Sequence, residues 1–240
     1  LRILFERNGD IHSRAVHGEA VSLPKPYYQD DAVTIYHADC RDILPHLPKV
    51  DLVLTDPPYG LKFEYLSYED SSANLQKLVR DIFPLLNADR IAISSGITNY
   101  HLWPKADWIC AATWNTTGSY GKCGVNQWFP ILFYGKDLDG FGAVNGIIKG
   151  DLFSVSGGGS VGFQRDELET VHTCPKPMNL WKKILTRFSN EGQTVLDFCL
   201  GSGTTLLAAK DLGRKAIGIE IEEKYCEIAA KRLRQEVLAL

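Results

Sequence analysis

Thr55-Asp56-Pro57-Pro58-Tyr59-Gly60 follows directly on Val50-Asp51-Leu52-Val53-Leu54, and the junction of the two decides how the chain is read. The apolar, β-branched run has the length and composition of a buried strand. The hexapeptide therefore sits at a strand's carboxyl end, where open α/β sheets bind ligands. Two successive prolines fix φ twice and remove two backbone donors, so the corner is stiff and continues neither helix nor sheet. The Pro57 and Pro58 carbonyls stay free, and with Asp56 they present only acceptors. An amino group on a planar ring, with two donors, matches that lining, and Tyr59 can stack on the ring. Alone, such a stretch also suits an ordinary turn. A second, glycine-rich motif far along the chain argues against that.

Gln193 to Phe198 reads as another apolar strand, and Gly201-Ser202-Gly203-Thr204-Thr205-Leu206 turns straight from it into a helix. Glycines there let a ligand approach backbone N–H groups at the helix start. Lys215 to Ile219 is the next strand, and Glu220 ends it, seventeen positions after Gly203. An acid at that offset is placed to accept both ribose hydroxyls of an adenosine-containing ligand. Leu206 stands where the dinucleotide pattern has its third glycine, and no Gly-Lys-Ser/Thr follows. An adenosine without a pyrophosphate fits better, which disfavours the competing reading of a dinucleotide-dependent oxidoreductase.

Around these motifs the chain reads as alternating strands and helices. Val33 to His37 is strand-like, and Asp39 caps a helix after it; a carboxylate at a strand end beside a binding crevice can also accept from a ligand amine. Leu61 to Ser72, with Lys62, Phe63, Tyr65 and Tyr68, shows no clean period and reads as a loop over the site, a lid or substrate clamp. A helix follows on Leu75, Leu78, Val79, Ile82, Leu85 and Leu86, kinked near its end by Pro84. Arg90–Ser95, Asp107–Thr113 and Trp128–Tyr134 are further strands. Gly135 to Thr170 keeps no pattern for long, so about 115–170 reads as a variable insertion contacting the substrate. Pro177 opens a helix as its first residue, and His172 and Lys176 just before it can bind an anionic group. Residues 1–26 read as an arm or non-native lead, and 27–240 as one domain carrying that insertion.

Length and composition agree with this. A chain of 240 residues, 45% of them hydrophobic, can bury a full α/β core. No apolar run reaches the ~18 residues of a membrane span, and no secretory leader is visible, so a cytoplasmic protein is expected. Its six cysteines lack C-x-x-C spacing, which points away from metal and from disulfides. Net charge is −3, with a slight basic excess in residues 101–190, nine Lys/Arg against seven Asp/Glu. Any basic face for nucleic acid then belongs to the middle of the chain.

The hexapeptide resembles the catalytic motif of the amino-methyltransferases, which methylate exocyclic amines of bases using S-adenosylmethionine. Asp197-Phe198-Cys199-Leu200-Gly201-Ser202-Gly203-Thr204-Thr205 resembles their cofactor-binding motif, although a proline and two small residues more usually follow the Asp. His172 to Pro177 resembles the segment contacting the cofactor's methionine end, and Asp39 matches the acid that meets its adenine. The catalytic motif precedes the cofactor motif, as in the permuted β group of DNA amino-methyltransferases. The resemblance implies a Rossmann-like, circularly permuted α/β fold: a seven-stranded, mostly parallel sheet with one antiparallel strand and helices on both faces. It implies Asp56, Pro57, Pro58 and Tyr59 as catalytic. Asp39, Asp56, His172, Lys176, Asp197, Gly201, Gly203, Thr204, Thr205 and Glu220 would hold S-adenosylmethionine, with Tyr59, Lys62 and Phe63 on the DNA substrate. No metal is expected, and monomer or homodimer is open. Asp as the first motif residue accompanies adenine more often than cytosine, so the adenine N6 amine is the expected target and the cytosine N4 amine the alternative. Related motifs also act on RNA or on protein glutamine. A non-catalytic nucleic-acid-binding protein is the reading from another class, and bulky Leu200 is the feature favouring it.

Overall fold

The computed structural model describes residues 23–114, 120–121, 124–125, 128–136, 143–144, 147–148, 151–155 and 176–235. In chain order the elements are β1 (Tyr28–Gln29), β2 (Val33–His37), α1 (Cys40–Ile43), β3 (Val50–Thr55), β4 (Leu61–Glu64), β5 (Glu69–Ser71), α2 (Ser72–Ile82) and β6 (Ala88–Ser94). Then come β7 (Trp108–Trp114), β8 (Tyr120–Gly121), β9 (Gly124–Val125), β10 (Phe129–Gly135), β11 (Ala143–Val144), β12 (Ile147–Ile148) and β13 (Leu152–Val155). The last part contributes α3 (Met178–Phe188), β14 (Thr194–Asp197), α4 (Thr204–Asp211), β15 (Lys215–Glu220) and α5 (Glu223–Arg234).

One nine-stranded sheet organises these elements, in the order β1-β2-β15-β14-β3-β6-β10-β7-β13. From β2 to β6 every neighbouring pair is parallel, while β10 runs antiparallel to both β6 and β7. The expected seven strands are the central ones, and two edge strands must be added. Asp30 accepts from the backbone N–H of Ala32 and Val33, and the tight turn it makes folds β1 back, antiparallel, on β2. At the other edge β13 pairs parallel with β7, so part of the stretch without sequence periodicity belongs to the sheet. A four-residue strand is too short to show a period.

Both faces of the sheet are covered, which explains why β3 reads as continuously apolar. Leu52 and Leu54 point into a core built from α3, α4 and α5, including Trp181, Ile184, Leu206 and Ala229. Val53 points the other way, toward Ile43 of α1 and Leu75, Val79 and Ile82 of α2. The α2 helix starts under a Ser71 cap accepting from Asn74 N, and Pro84 falls in a 3-10 turn, Phe83–Leu85, that finishes it. Pro177 lies one position outside α3, as its N-cap, its carbonyl accepting from Leu180 and Trp181. No helix among the described residues is long and apolar enough to cross a membrane.

Candidate active site

The two sequence motifs meet because their strands are neighbours. β3 and β14 pair in parallel, Leu52 against Val195 and Val53 against Leu196, so Asp197, the last residue of β14, and Asp56, just past the end of β3, come out at the same carboxyl edge. A buried bond ties them: Thr55 Oγ1 donates to Asp197 Oδ1 at 2.7 Å. Asp197 also accepts from Cys199 N at 3.1 Å and from the Thr205 hydroxyl. Thr205 Oγ1 in turn accepts from Trp181 Nε1 at 2.8 Å. Burial still outweighs these bonds and pushes the Asp197 carboxyl up to about 6.

At the corner, Asp56 is held on both oxygens. The Tyr59 hydroxyl donates to Oδ1 at 2.5 Å, and the Lys176 ammonium pairs with Oδ2. Each oxygen keeps a further lone pair for a ligand N–H. The same Tyr59 hydroxyl lies 2.7 Å from Ser94 Oγ at the end of β6, and burial together with the Asp56 charge pushes its acidity well below normal. Lys176 Nζ lies 5.3 Å from the Tyr59 ring centroid. Behind the ring is Gly96, at φ +67°, where a Cβ would come within 2.8 Å of Tyr59 Cγ. No side chain fits between Tyr59 and the backbone there.

Three polar residues fix the exit of the corner. Asn99 Nδ2 donates to the Tyr59 carbonyl at 2.8 Å, to the Gly60 carbonyl at 3.2 Å and to Ser72 Oγ at 3.2 Å. Ser72 Oγ donates to Gly60 O at 3.3 Å. Asp70, only 3% exposed, accepts three backbone N–H groups: Gly60 at 2.5 Å, Leu61 at 3.0 Å and Phe63 at 3.0 Å. The segment expected as an irregular loop is therefore a β4–β5 hairpin, because a buried carboxylate satisfies backbone donors that sequence periodicity does not report. Lys62 takes φ +64° within it. The exposed Phe63 ring lies 4.9 Å from that of Tyr65, and Tyr65 in turn 6.2 Å from Tyr68.

On the cofactor side, Glu220 ends β15, and burial raises its carboxyl above the usual range. Its Oε2 accepts from Gly201 N at 2.7 Å and its Oε1 from Glu222 N at 3.0 Å, which closes the glycine turn onto the next strand. Arg232 Nη1 donates to the Ser202 carbonyl at 2.6 Å and hydroxyl at 3.2 Å, tying the same turn to α5. Gly203, at φ +86°, caps α4, and a Cβ there would lie 2.8 Å from Ala229 Cβ. Its missing side chain serves both the left-handed turn and the packing of α5. Leu200 turns into the core, against Gly218, so its bulk does not fill the crevice. Cys199 faces the acids instead: burial pushes its thiol up strongly, with Asp197, Glu220 and Asp56 adding to it.

The other expected site residues are placed as follows. Asp39 caps α1, accepting from Arg41 N at 2.9 Å, and forms an ion pair with the Arg41 guanidinium that lowers its carboxyl's acid range. Thr204 and Thr205 are buried, and Thr205 serves Asp197 and Trp181 from beneath the turn. Lys62 and Phe63 are exposed on the hairpin, and His172 lies outside the described residues. Asp70, Ser94, Gly96, Asn99 and Arg232 went unread as site residues, since no motif spacing marks them, and Trp181 reads in the sequence only as part of a helix's apolar face. Among the described residues no group of three or more His, Cys, Asp or Glu is placed to hold a metal ion.

An adenosine carrying a cationic sulfonium fits this crevice. Asp56 and Glu220 stand at the carboxyl edge of the sheet, the glycine turn allows close approach, and Leu200 packs into the core against Gly218. Comparison with known proteins gives the same answer. Residues 146–231 match the family described as DNA methylase. The Type II methyltransferase M2.LlaDCHI of Lactococcus lactis subsp. cremoris is 39% identical over 258 residues, covering 90% of this chain and 94% of that protein. Among solved structures, the M1.HpyAVI–SAM complex matches with a TM-score of 0.63 at 26% identity, covering 84% of this chain and 99% of that one. The PvuII DNA methyltransferase (cytosine-N4-specific) shares the fold at a TM-score of 0.69 and 18% identity, covering 90% of each chain. This chain therefore belongs to the DNA amino-methyltransferase family, with S-adenosylmethionine as its cofactor.

Proposed function

We propose that the enzyme methylates the N6 amine of an adenine extruded from DNA. The observation that carries this reading is the junction of Asp56 and Asp197 at the ends of two adjacent parallel strands, locked by the Thr55–Asp197 bond. When bound, the cofactor supplies an electrophilic methyl group on a sulfonium. The protein's task is then to aim an amine at it. An aromatic amine is a poor nucleophile because its lone pair is delocalised into the ring. N–H donation to Asp56 and to the Pro57 carbonyl favours a pyramidal nitrogen and offsets the positive charge that develops during transfer. Asp56 then takes the proton the methylated amine gives up. Tyr59, backed by Gly96, presents its ring to the extruded base.

Lys176 beside Asp56, Gly201 and Gly203 in the turn, and Glu220 beneath it form the cofactor's cradle in this reading, with Asp39 meeting the adenine and His172 serving the methionine end. Thr205 and Asp197 act by holding the turn. Lys62 and Phe63 on the hairpin contact the strand, and the insertion at about 115–170 reads the sequence around the target. The choice of adenine rests on Asp at position 56, which accompanies adenine more often in this family. The test is transfer of labelled methyl from S-adenosylmethionine to mixed genomic DNA, for wild type and Asp56→Ala, with mass spectrometry of the nucleosides. Methyladenine that vanishes in the variant is the expected result. Methylcytosine instead would replace adenine N6 with cytosine N4, and unchanged transfer by the variant would refute the role of Asp56.

A further inference from the structure

Ser94 is a polar residue at the end of an apolar run. Ile91, Ala92 and Ile93 precede it in β6, and it is itself fully buried. A buried hydroxyl costs free energy unless it is bonded. Its partner is the Tyr59 hydroxyl, 2.7 Å away, and that hydroxyl also reaches Asp56 Oδ1 at 2.5 Å.

The direction of this chain follows from its protons. Asp56, a carboxylate paired with the Lys176 ammonium, only accepts. The single Tyr59 proton therefore goes to Asp56, and Ser94 donates to the Tyr59 oxygen. Each bond polarises the next, so the Ser94 bond strengthens the one on Asp56.

The frame behind the chain is rigid. β6 is bonded on both sides, Ile93 pairing with Thr55 of β3 and Ser94 with Ile131 of β10. The strand that carries Ser94 is thus in register with the residue before Asp56. Two positions on, Gly96 meets the other end of the Tyr59 ring at Cγ. One short stretch, Ser94 to Gly96, therefore holds the ring at both ends. Without the bond at the hydroxyl end, the ring is fixed only at Cγ, and the Tyr59 bond to Asp56 Oδ1 loses its support.

We propose that Ser94 is a positioning residue for methyl transfer: through the Tyr59 hydroxyl it fixes the carboxylate of Asp56 and the plane of the Tyr59 ring. Fully buried, it acts without touching cofactor or base. This rests on Asp56 and Tyr59 receiving the target amine and its ring. A misaligned amine reacts more slowly even when it binds equally well, so the effect belongs in kcat.

The test is methyl transfer from S-adenosylmethionine to mixed genomic DNA by the full chain, at saturating and limiting DNA. Rates are expressed per cofactor site counted by calorimetric titration of each preparation. Ser94→Ala should lower kcat about five- to twelvefold, the loss of one hydrogen bond. The KM for DNA and the Kd for cofactor should stay within about twofold of wild type. Tyr59→Phe keeps the ring but removes the hydroxyl through which Ser94 acts, so it should lower kcat at least as much. Adding Ser94→Ala to it should then cost nothing further. Ser94→Cys, a weaker donor of similar size, repeats the test with the packing kept and should fall between wild type and Ser94→Ala. An unchanged kcat in Ser94→Ala, losses that add in the double variant, or Ser94→Cys as fast as wild type overturns the proposal and leaves the role of Asp56 standing. Wild type that transfers no methyl to DNA overturns the functional reading and this proposal together.

Discussion

Asp197→Asn separates the cost of burying a carboxylate from the value of the bonds it makes. The Asp197 carboxyl moves from an ordinary 3.8 to about 6, with burial the largest cause. That displacement corresponds to about 3 kcal/mol. The folded state then binds a proton more tightly than the unfolded chain. The stabilisation from this group is fully present below pH 3.8 and is lost as pH rises through 6. Between pH 5 and pH 8 the expected loss is about 1.4 kcal/mol, or about 3–6 °C in melting temperature for a chain of this size. Asparagine has the same shape and can still accept from Thr55 Oγ1 and Cys199 N, while its amide donates to Thr205. It does not titrate. The assay is the melting temperature of wild type and variant, without cofactor, at both pH values. The difference of differences isolates this group from the other carboxylates. Parallel curves, with the variant losing as much between pH 5 and pH 8 as wild type, would refute the argument that Asp197 is strained by burial.

Asp70→Asn replaces an oxygen facing backbone N–H groups with a donor, so at least one of the three bonds to Gly60, Leu61 and Phe63 is lost. It should weaken folding by about 2 kcal/mol and lower methyl transfer more than cofactor affinity, as urea unfolding and paired kinetic and calorimetric measurements would show. Gly203→Ala puts a Cβ at φ +86° and 2.8 Å from Ala229 Cβ. Cofactor affinity should fall, with about 1 kcal/mol of backbone cost that a second change, Ala229→Gly, leaves in place while relieving the packing clash. Full recovery in the double variant would mean that the left-handed turn carries no cost.

How much of this was legible differs from residue to residue. Val50–Leu54, Thr194–Asp197 and Lys215–Glu220 announce themselves because strands buried on both faces are continuously apolar. The corner after β3 and the glycine turn after β14 are equally plain, since prolines and glycines act through their own backbone geometry. The β4–β5 hairpin was not legible. Its order comes from Asp70, whose three bonds reach back seven to ten residues, and such a carboxylate looks like any other charge in a polar segment. Asn99 is hidden for the same reason, acting on Tyr59 and Gly60 from forty and thirty-nine positions away.

By itself, then, the order of residues determined the elements, the two motifs and the chemistry each suits, because those depend on local backbone preference and on the period of apolar side chains. Tertiary structure alone decided that β14 lies beside β3, so that residues 142 positions apart, Thr55 and Asp197, share a hydrogen bond. It also decided that Leu200 faces the core and that Lys176 and Tyr59 both hold Asp56. The reason is physical. Which strands pair, and which way a single side chain turns, are settled by packing among distant parts of the chain, and no local pattern encodes it.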